Sequence, residues 1–134
     1  RCFGADIGSS VRIYPSARIW APWNLVMQDG SCLGEYVDCY SVARILLQKN
    51  AVVSQYSFLC AASRDISSLE KPLVVGDITL AENSWVAADV FVGPGVVIGE
   101  AAVVSARASV FKDVEAWTVV AGNPAVFVKR RVLK

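Results

Sequence analysis

The sequence predicts an all-β fold: a parallel β-helix of six-residue repeats, with one protruding loop and a short helix at its end. Three observations predict it. From Val74 onward an aliphatic residue recurs at every sixth position, through Val74, Leu80, Val86, Val92, Ile98, Val104 and Val110. Four residues after each comes a second small or branched residue: Ile78, Ser84, Val90, Val96, Ala102, Ala108 and Val114. A period of six matches neither the three-to-four spacing of an amphipathic helix nor the alternation of a half-buried strand, so each unit must combine a short strand with a turn.

The amino-terminal coils, residues 1–64, carry the same period through Ile7, Ile13, Ile19 and Leu25. It resumes after a two-residue slip at Leu33 and Cys39, and slips again to Leu47, Val53 and Leu59. If each hexapeptide is one flat side of a triangular coil, its aliphatic residue points inward and equivalent positions stack at the strand spacing of about 4.8 Å. Val86, Val92 and Ile98 are then expected to lie one above another. Asp77, Asn83, Asp89 and Gly95 fall near the corners, where left-handed backbone is needed.

Residues 65–73 are polar and out of register, with Asp65, Ser67, Ser68, Glu70, Lys71 and Pro72, and are expected to protrude as a loop from one corner. Coils resume over 74–122. The tail, 123–134, reads as a short helix that lays Val126, Phe127, Val128 and Val132 on the coils, with Pro124 in its first turn and cations near its end. All of this is one domain, 1–134. No rung can bury its apolar face alone, so stability accumulates between neighbours.

Composition narrows the partners. Hydrophobic residues make up 54% of the 134, enough for one continuous core. A net charge of +1 lacks the basic surface that collects nucleic acid or anionic lipid, so no nucleic acid is expected as a partner. No apolar run reaches the roughly 18 residues that cross a bilayer, so stable membrane insertion is not expected either. Cys2, Cys32, Cys39 and Cys60 form no CxxC pair, and the chain has no histidine, which leaves no zinc site and favours free thiols in a reducing cytoplasm. The chain opens at Arg1 without a methionine, and residues of the natural protein are expected to precede it.

Particular stretches carry a resemblance. Val92 to Val104 (VGPGVVIGEAAVV) resembles the hexapeptide-repeat acyltransferases, which implies a left-handed coil; parallel crossovers are otherwise right-handed in about 98% of cases. Arg12 to Asn24 (RIYPSARIWAPWN) and Val37 to Tyr40 (VDCY) resemble the colanic-acid type of exopolysaccharide acetyltransferase within that family. Trp85 to Gly95 (WVAADVFVGPG) is similar to the family strand that lines the coenzyme A groove, and Trp117 to Ala125 (WTVVAGNPA) to its closing motif.

The resemblance implies an acetyl-CoA-dependent O-acetyltransferase acting on a sugar or polysaccharide precursor, working as a homotrimer with acetyl-CoA between adjacent subunits and no metal. Carried over residue by residue, it places Ala88 and Ala106 where small side chains admit the pantetheine, and Trp85 in the groove wall. Lys112 and Lys129 match positions where cations meet phosphates, a contact a lysine makes as a point charge. As residues alone, both also read as solvated surface. Phe111 departs from the family's usual threonine.

One departure is chemical. Acetyl transfer needs the acceptor hydroxyl deprotonated as it attacks the thioester. The family base is a histidine within a pattern resembling Leu-Cys-Thr-x-Ser-His-Asp, and the matching stretch, Leu59 to Asp65 (LCAASRD), has Arg64 in its place. An arginine cannot accept that proton. Arg64 is left to stabilise charge and Asp65 to deprotonate the acceptor in a slow enzyme.

The rival reading is a catalytically weak or inactive relative serving as a trimeric structural or binding subunit. A zinc carbonic anhydrase lacks its histidines here, a serine acetyltransferase its helical domain, and a nucleotidyltransferase its Rossmann-like domain. Tyr36, Tyr40, Tyr56 and Trp23 are read as corner or packing residues rather than sugar platforms.

Overall fold

The computed structural model describes residues 4–134. Five coils follow one another along an axis. The first holds β1 (Asp6–Ile7), β2 (Arg12–Ile13) and β3 (Arg18–Ile19), and the second β4 (Leu25–Met27), β5 (Cys32–Leu33) and β6 (Asp38–Tyr40). The third holds β7 (Ile45–Leu47), β8 (Val52–Val53) and β9 (Phe58–Cys60). A hairpin, β10 (Ala62–Arg64) and β11 (Leu73–Val75), interrupts the winding. The fourth coil holds β12 (Ile78–Leu80), β13 (Trp85–Val86) and β14 (Phe91–Val92), and the fifth β15 (Val97–Ile98), β16 (Val103–Val104) and β17 (Ser109–Val110). The chain closes with β18 (Thr118–Ala121) and β19 (Val126–Arg130).

Parallel pairing of successive coils builds three walls. The first contains β1, β4, β7, β12 and β15; the second β2, β5, β8, β13, β16 and β18; the third β3, β6, β9, β14 and β17. Six-spaced residues therefore occupy successive walls of one coil, so Val86, Val92 and Ile98 do not lie one above another as expected. The stacked partners are three hexapeptides apart, Leu80 with Ile98, Val86 with Val104 and Val92 with Val110. All six point inward and are buried, each contributing about 1.5–3 kcal/mol.

Both register slips fall at the corner between the third and first walls. There the second coil begins with a short 3-10 turn, Pro22–Asn24, so β4 turns both Leu25 and Met27 inward. Met27, not Leu25, is the residue that pairs with Ile7. The equivalent corner one coil on stacks beneath it: Ser41 Oγ accepts from the Ala21 amide and donates to the Ala21 carbonyl, both at 3.0 Å. Asn83, Asp89 and Gly95 do have the positive φ expected of corners, at 62, 56 and 79°. Asp77 does not, and its carboxylate instead accepts from the Arg44 amide at 3.1 Å. Gly99 is needed for closeness: a Cβ there would meet Ala116 N at 2.6 Å where the last turn closes on the fifth coil.

Two further expectations are corrected. Val74 is not an inward rung: it pairs with Ser63 across the antiparallel hairpin and is 47% exposed, so the ladder restarts at Ile78 and Leu80. The tail is not a helix. β19 runs antiparallel along β18, with Ala121 opposite Val126 and Thr118 opposite Arg130. Val126, Phe127 and Val128 are strand formers, and the open edge of β18 offers a full row of backbone partners, which outweighs the helix signal of Pro124. Arg131 then anchors the tail, Nη1 donating to the Ala101 carbonyl at 2.9 Å and the Asn83 carbonyl at 3.2 Å.

Outside the third wall, rings make a ladder of Trp20, Tyr40, Phe58, Phe91 and Phe111, with neighbouring centroids 5.1–6.4 Å apart. Tyr36 and Tyr56 stack at a corner, 5.3 Å apart and nearly parallel. Cys32, Cys39 and Cys60 are free thiols, and Cys2 lies outside the described residues. No helix among those residues is long and apolar enough to cross a membrane.

Candidate functional site

The predicted site residues fall in separate parts of the chain. Arg64 and Asp65 belong to the hairpin, which leaves from the corner joining the third and first walls because β9 precedes it and β12 follows. Arg64 is exposed, and its Nη1 donates to the Lys71 carbonyl at 3.3 Å across the hairpin. The Asp65 amide donates to the Pro72 carbonyl at 3.0 Å, closing the loop. Asp65 Oδ1 accepts from both the Ser67 hydroxyl, at 2.6 Å, and the Ser67 amide, at 3.0 Å. Those two bonds hold the Asp65 carboxyl below the ordinary aspartate pKa, which weakens it as a proton acceptor.

Trp85, Ala88, Ala106 and Lys129 lie on the second wall and its corner with the third, and Lys112 follows β17 at the corner between the third and first walls. Trp85 stands outward from β13, and its indole N–H donates to Ser54 Oγ at 2.9 Å. Ala88 and Ala106 share a recess of about 330 Å³ with Tyr56, Asp89 and Arg107. Arg107 and Asp89 pair across it at 3.8 Å with both side chains largely exposed, a contact of little energetic weight.

Trp85 lines a different recess of about 540 Å³ with Asn83, Trp117 and Arg131. Lys112 lines a third of about 350 Å³, beside Phe111, Pro124 and Phe127, and Lys129 projects from β19. One chain thus brings Ala88 and Ala106 together, links Trp85 to that corner through Ser54, and leaves Lys112 and Lys129 toward its carboxy-terminal end. Reasoning from sequence missed Ser54, whose contact with Trp85 spans the hairpin and follows no six-residue period.

Neither Cys32 nor Cys39 is set up as a nucleophile. Burial, reinforced by the adjacent Asp38 carboxylate, pushes the Cys39 thiol up to about 12. Desolvation raises Cys32 as well, against the opposing pull of Arg12. The chain has no histidine, the thiols of Cys32 and Cys39 stay protonated, and the small side chains of Ala88 and Ala106 leave their corner open.

Solved structures with the same fold define the class. A hexapeptide-repeat acetyltransferase from Vibrio cholerae matches at a TM-score of 0.90 over 96% of this chain and 74% of its own, at 21% identity. A maltose O-acetyltransferase from Clostridium difficile matches at 0.87 over 96% and 70%, at 19% identity. Superposition at that level requires the same sense of winding, so this is the hexapeptide-repeat acetyltransferase fold.

No protein-family profile matches the chain. Among curated proteins, WcaF of Escherichia coli (strain K12), a proposed colanic acid biosynthesis acetyltransferase, is 44% identical over 132 residues, covering 98% of this chain and 72% of that protein. Chloramphenicol acetyltransferase of Escherichia coli is 41% identical over 56 residues, 42% of this chain and 27% of that protein. The chain belongs to the colanic acid biosynthesis acetyltransferase family, and it is an acyltransferase.

Proposed function

We propose that this chain transfers an acetyl group from acetyl-CoA to a hydroxyl of a sugar or exopolysaccharide precursor. The observation that carries the reading is the corner at Ala88 and Ala106, a recess walled by small side chains beside an indole held in place by Ser54. A thioester on a pantetheine arm needs such a track, because the arm must approach the backbone closely to be oriented. A neighbouring fold of this kind is described as complexed with acetyl coenzyme A. Lys112 and Lys129 meet the phosphates at the carboxy-terminal end, so the acetyl end points toward the amino-terminal coils.

The working form is a homotrimer. Arg64 sits at the corner opposite the second wall, so within one chain it faces away from Trp85, and adjacent copies let the hairpin of one close over the second wall of the next. Exposed apolar residues on the hairpin and on β19, such as Val74 and Phe127, give those copies surface to bury. Arg64 stabilises developing negative charge on the thioester oxygen or holds an anionic group of the acceptor. Asp65 was the first candidate for the proton, but its two bonds to Ser67 support a role in setting the hairpin turn. Free thiols and an acetyl-CoA donor fit a reducing cytoplasm.

A second reading, a trimeric subunit without catalysis, is favoured by the arginine where the family has its base. The two separate in one assay: incubation with acetyl-CoA and a panel of sugars and sugar nucleotides, following free coenzyme A thiol. Acceptor-dependent thiol release supports the enzyme; release no faster than hydrolysis with every sugar supports the scaffold.

A further inference from the structure

With an arginine where the base belongs, some other group must receive the acceptor's proton. Resting on the coenzyme placement above, we propose that Glu35 is the general base of the transfer.

The coil register makes the case. Cys32, Val52, Trp85 and Val103 are paired in one row across the second wall, and Leu33, Val53, Val86 and Val104 in the next. Three residues after that second row the chain turns into the third wall through Tyr36, Tyr56, Asp89 and Arg107, all with φ of 55–65°. The residue before each turn, Glu35, Gln55, Ala88 and Ala106, thus forms one column along the corner. In the fourth and fifth coils that column is alanine; in the second and third it is long and polar. A pantetheine arm rising past Ala106 and Ala88 meets its first polar side chains at Gln55 and then Glu35. Each step is one strand spacing, so Glu35 lies about 10 Å beyond Ala88 along the corner.

Glu35 also lines a space for the acceptor. With Tyr14, Gly34, Ser54 and Tyr56 it borders a recess of about 530 Å³, and Gln55 and Tyr56 line both this recess and the one at Ala88, so the two adjoin. Gly34 keeps the recess wall close: a Cβ there would meet the Val53 carbonyl oxygen at 2.9 Å. Tyrosine faces and a serine hydroxyl suit a pyranose ring, which has an apolar face and a hydroxyl rim.

Of the other carboxylates near the donor's path, Asp113 accepts from the Val97 amide, and Asp89 and Glu115 face Arg107 and Arg130 in weak, exposed pairs. The Glu35 backbone carbonyl accepts from the Tyr56 amide at 3.0 Å, whereas its carboxylate makes no hydrogen bond or ion pair among the described residues. In the reaction its carboxylate takes the acceptor hydroxyl proton as that oxygen bonds to the thioester carbonyl carbon. The tetrahedral oxyanion then collapses, the C–S bond breaks, and the departing sulfur receives the proton from Glu35. The products are the sugar acetate and free coenzyme A.

The test is Glu35→Gln, steady-state kinetics on the acceptor that the thiol-release panel selects, and acetyl-CoA titration in parallel. The expected result is a kcat lower by about 10²–10⁴-fold, with unchanged Tm and an acetyl-CoA Kd within about twofold. The acid limb of the wild-type pH–rate profile disappears with it. In the double variant Arg64→His/Glu35→Gln a restored imidazole returns most of the rate, which a merely structural role would not allow. Wild-type kcat in Glu35→Gln overturns Glu35 alone; a wild type that acetylates no sugar overturns the reading beneath it as well.

Discussion

Arg64 carries a permanent charge at the position where the sequence resemblance implies a neutral base. Replacing it by histidine is expected to raise acetyl-transfer turnover by about 10²–10⁴-fold, measured as acceptor-dependent thiol release. Unchanged turnover would mean that the hairpin position does not reach the acceptor. Asp65 makes a prediction of a different kind. Its folded pKa is depressed by the two Ser67 bonds, so the turn is supported above the ordinary carboxylate range and loses that support as pH falls through the lowered value. Protection of the Ser67 amide from exchange, relative to its intrinsic rate at each pH, should fall across that acidic window, and protection unchanged by acid there would contradict the turn assignment. Ala88 and Arg64 are candidates in the sequence because they sit inside short recognisable stretches, and Ala106 because it follows one closely. Ser54 was not, because its bond to Trp85 joins coils separated by the hairpin, and Glu35 emerges only when the corners are aligned in space.

Elements follow from what each short strand can bury. A two- or three-residue strand has one inward side chain or two, and it persists only because the coils above and below hydrogen-bond to it. Val92→Asp places a charge between Leu59 and Val110 in the fully buried third-wall stack. The substitution removes about 1.5–3 kcal/mol of burial and adds an unpaired polar group, so the expected outcome is insoluble or molten protein. Recovery of a soluble protein with wild-type Tm would show that Val92 does not point inward. The period of six revealed these strands reliably, since inward aliphatics recur regardless of local propensity. Val74 and the tail both depart from expectation for a common reason: β11 and β19 are antiparallel additions, set by the edges they pair with rather than by the repeat. Proline and terminal cations resembled helix signals, but an unpaired edge strand beside Val126, Phe127 and Val128 decided the structure.

At the scale of the whole molecule, a stiff three-walled column offers a straight corner along which a long, thin donor can lie. In the proposed placement, small side chains admit the arm in the fourth and fifth coils, cations lie toward the carboxy-terminal end, and polar groups wait at the other. That division of labour along one axis is what ties the fold to acyl transfer. Calorimetric titration of the intact protein with acetyl-CoA tests it most directly. One site per chain with a Kd in the micromolar range, about −8 kcal/mol at 1 μM, is the predicted result. Binding weaker than about millimolar, near −4 kcal/mol, by a folded and assembled protein would contradict the account.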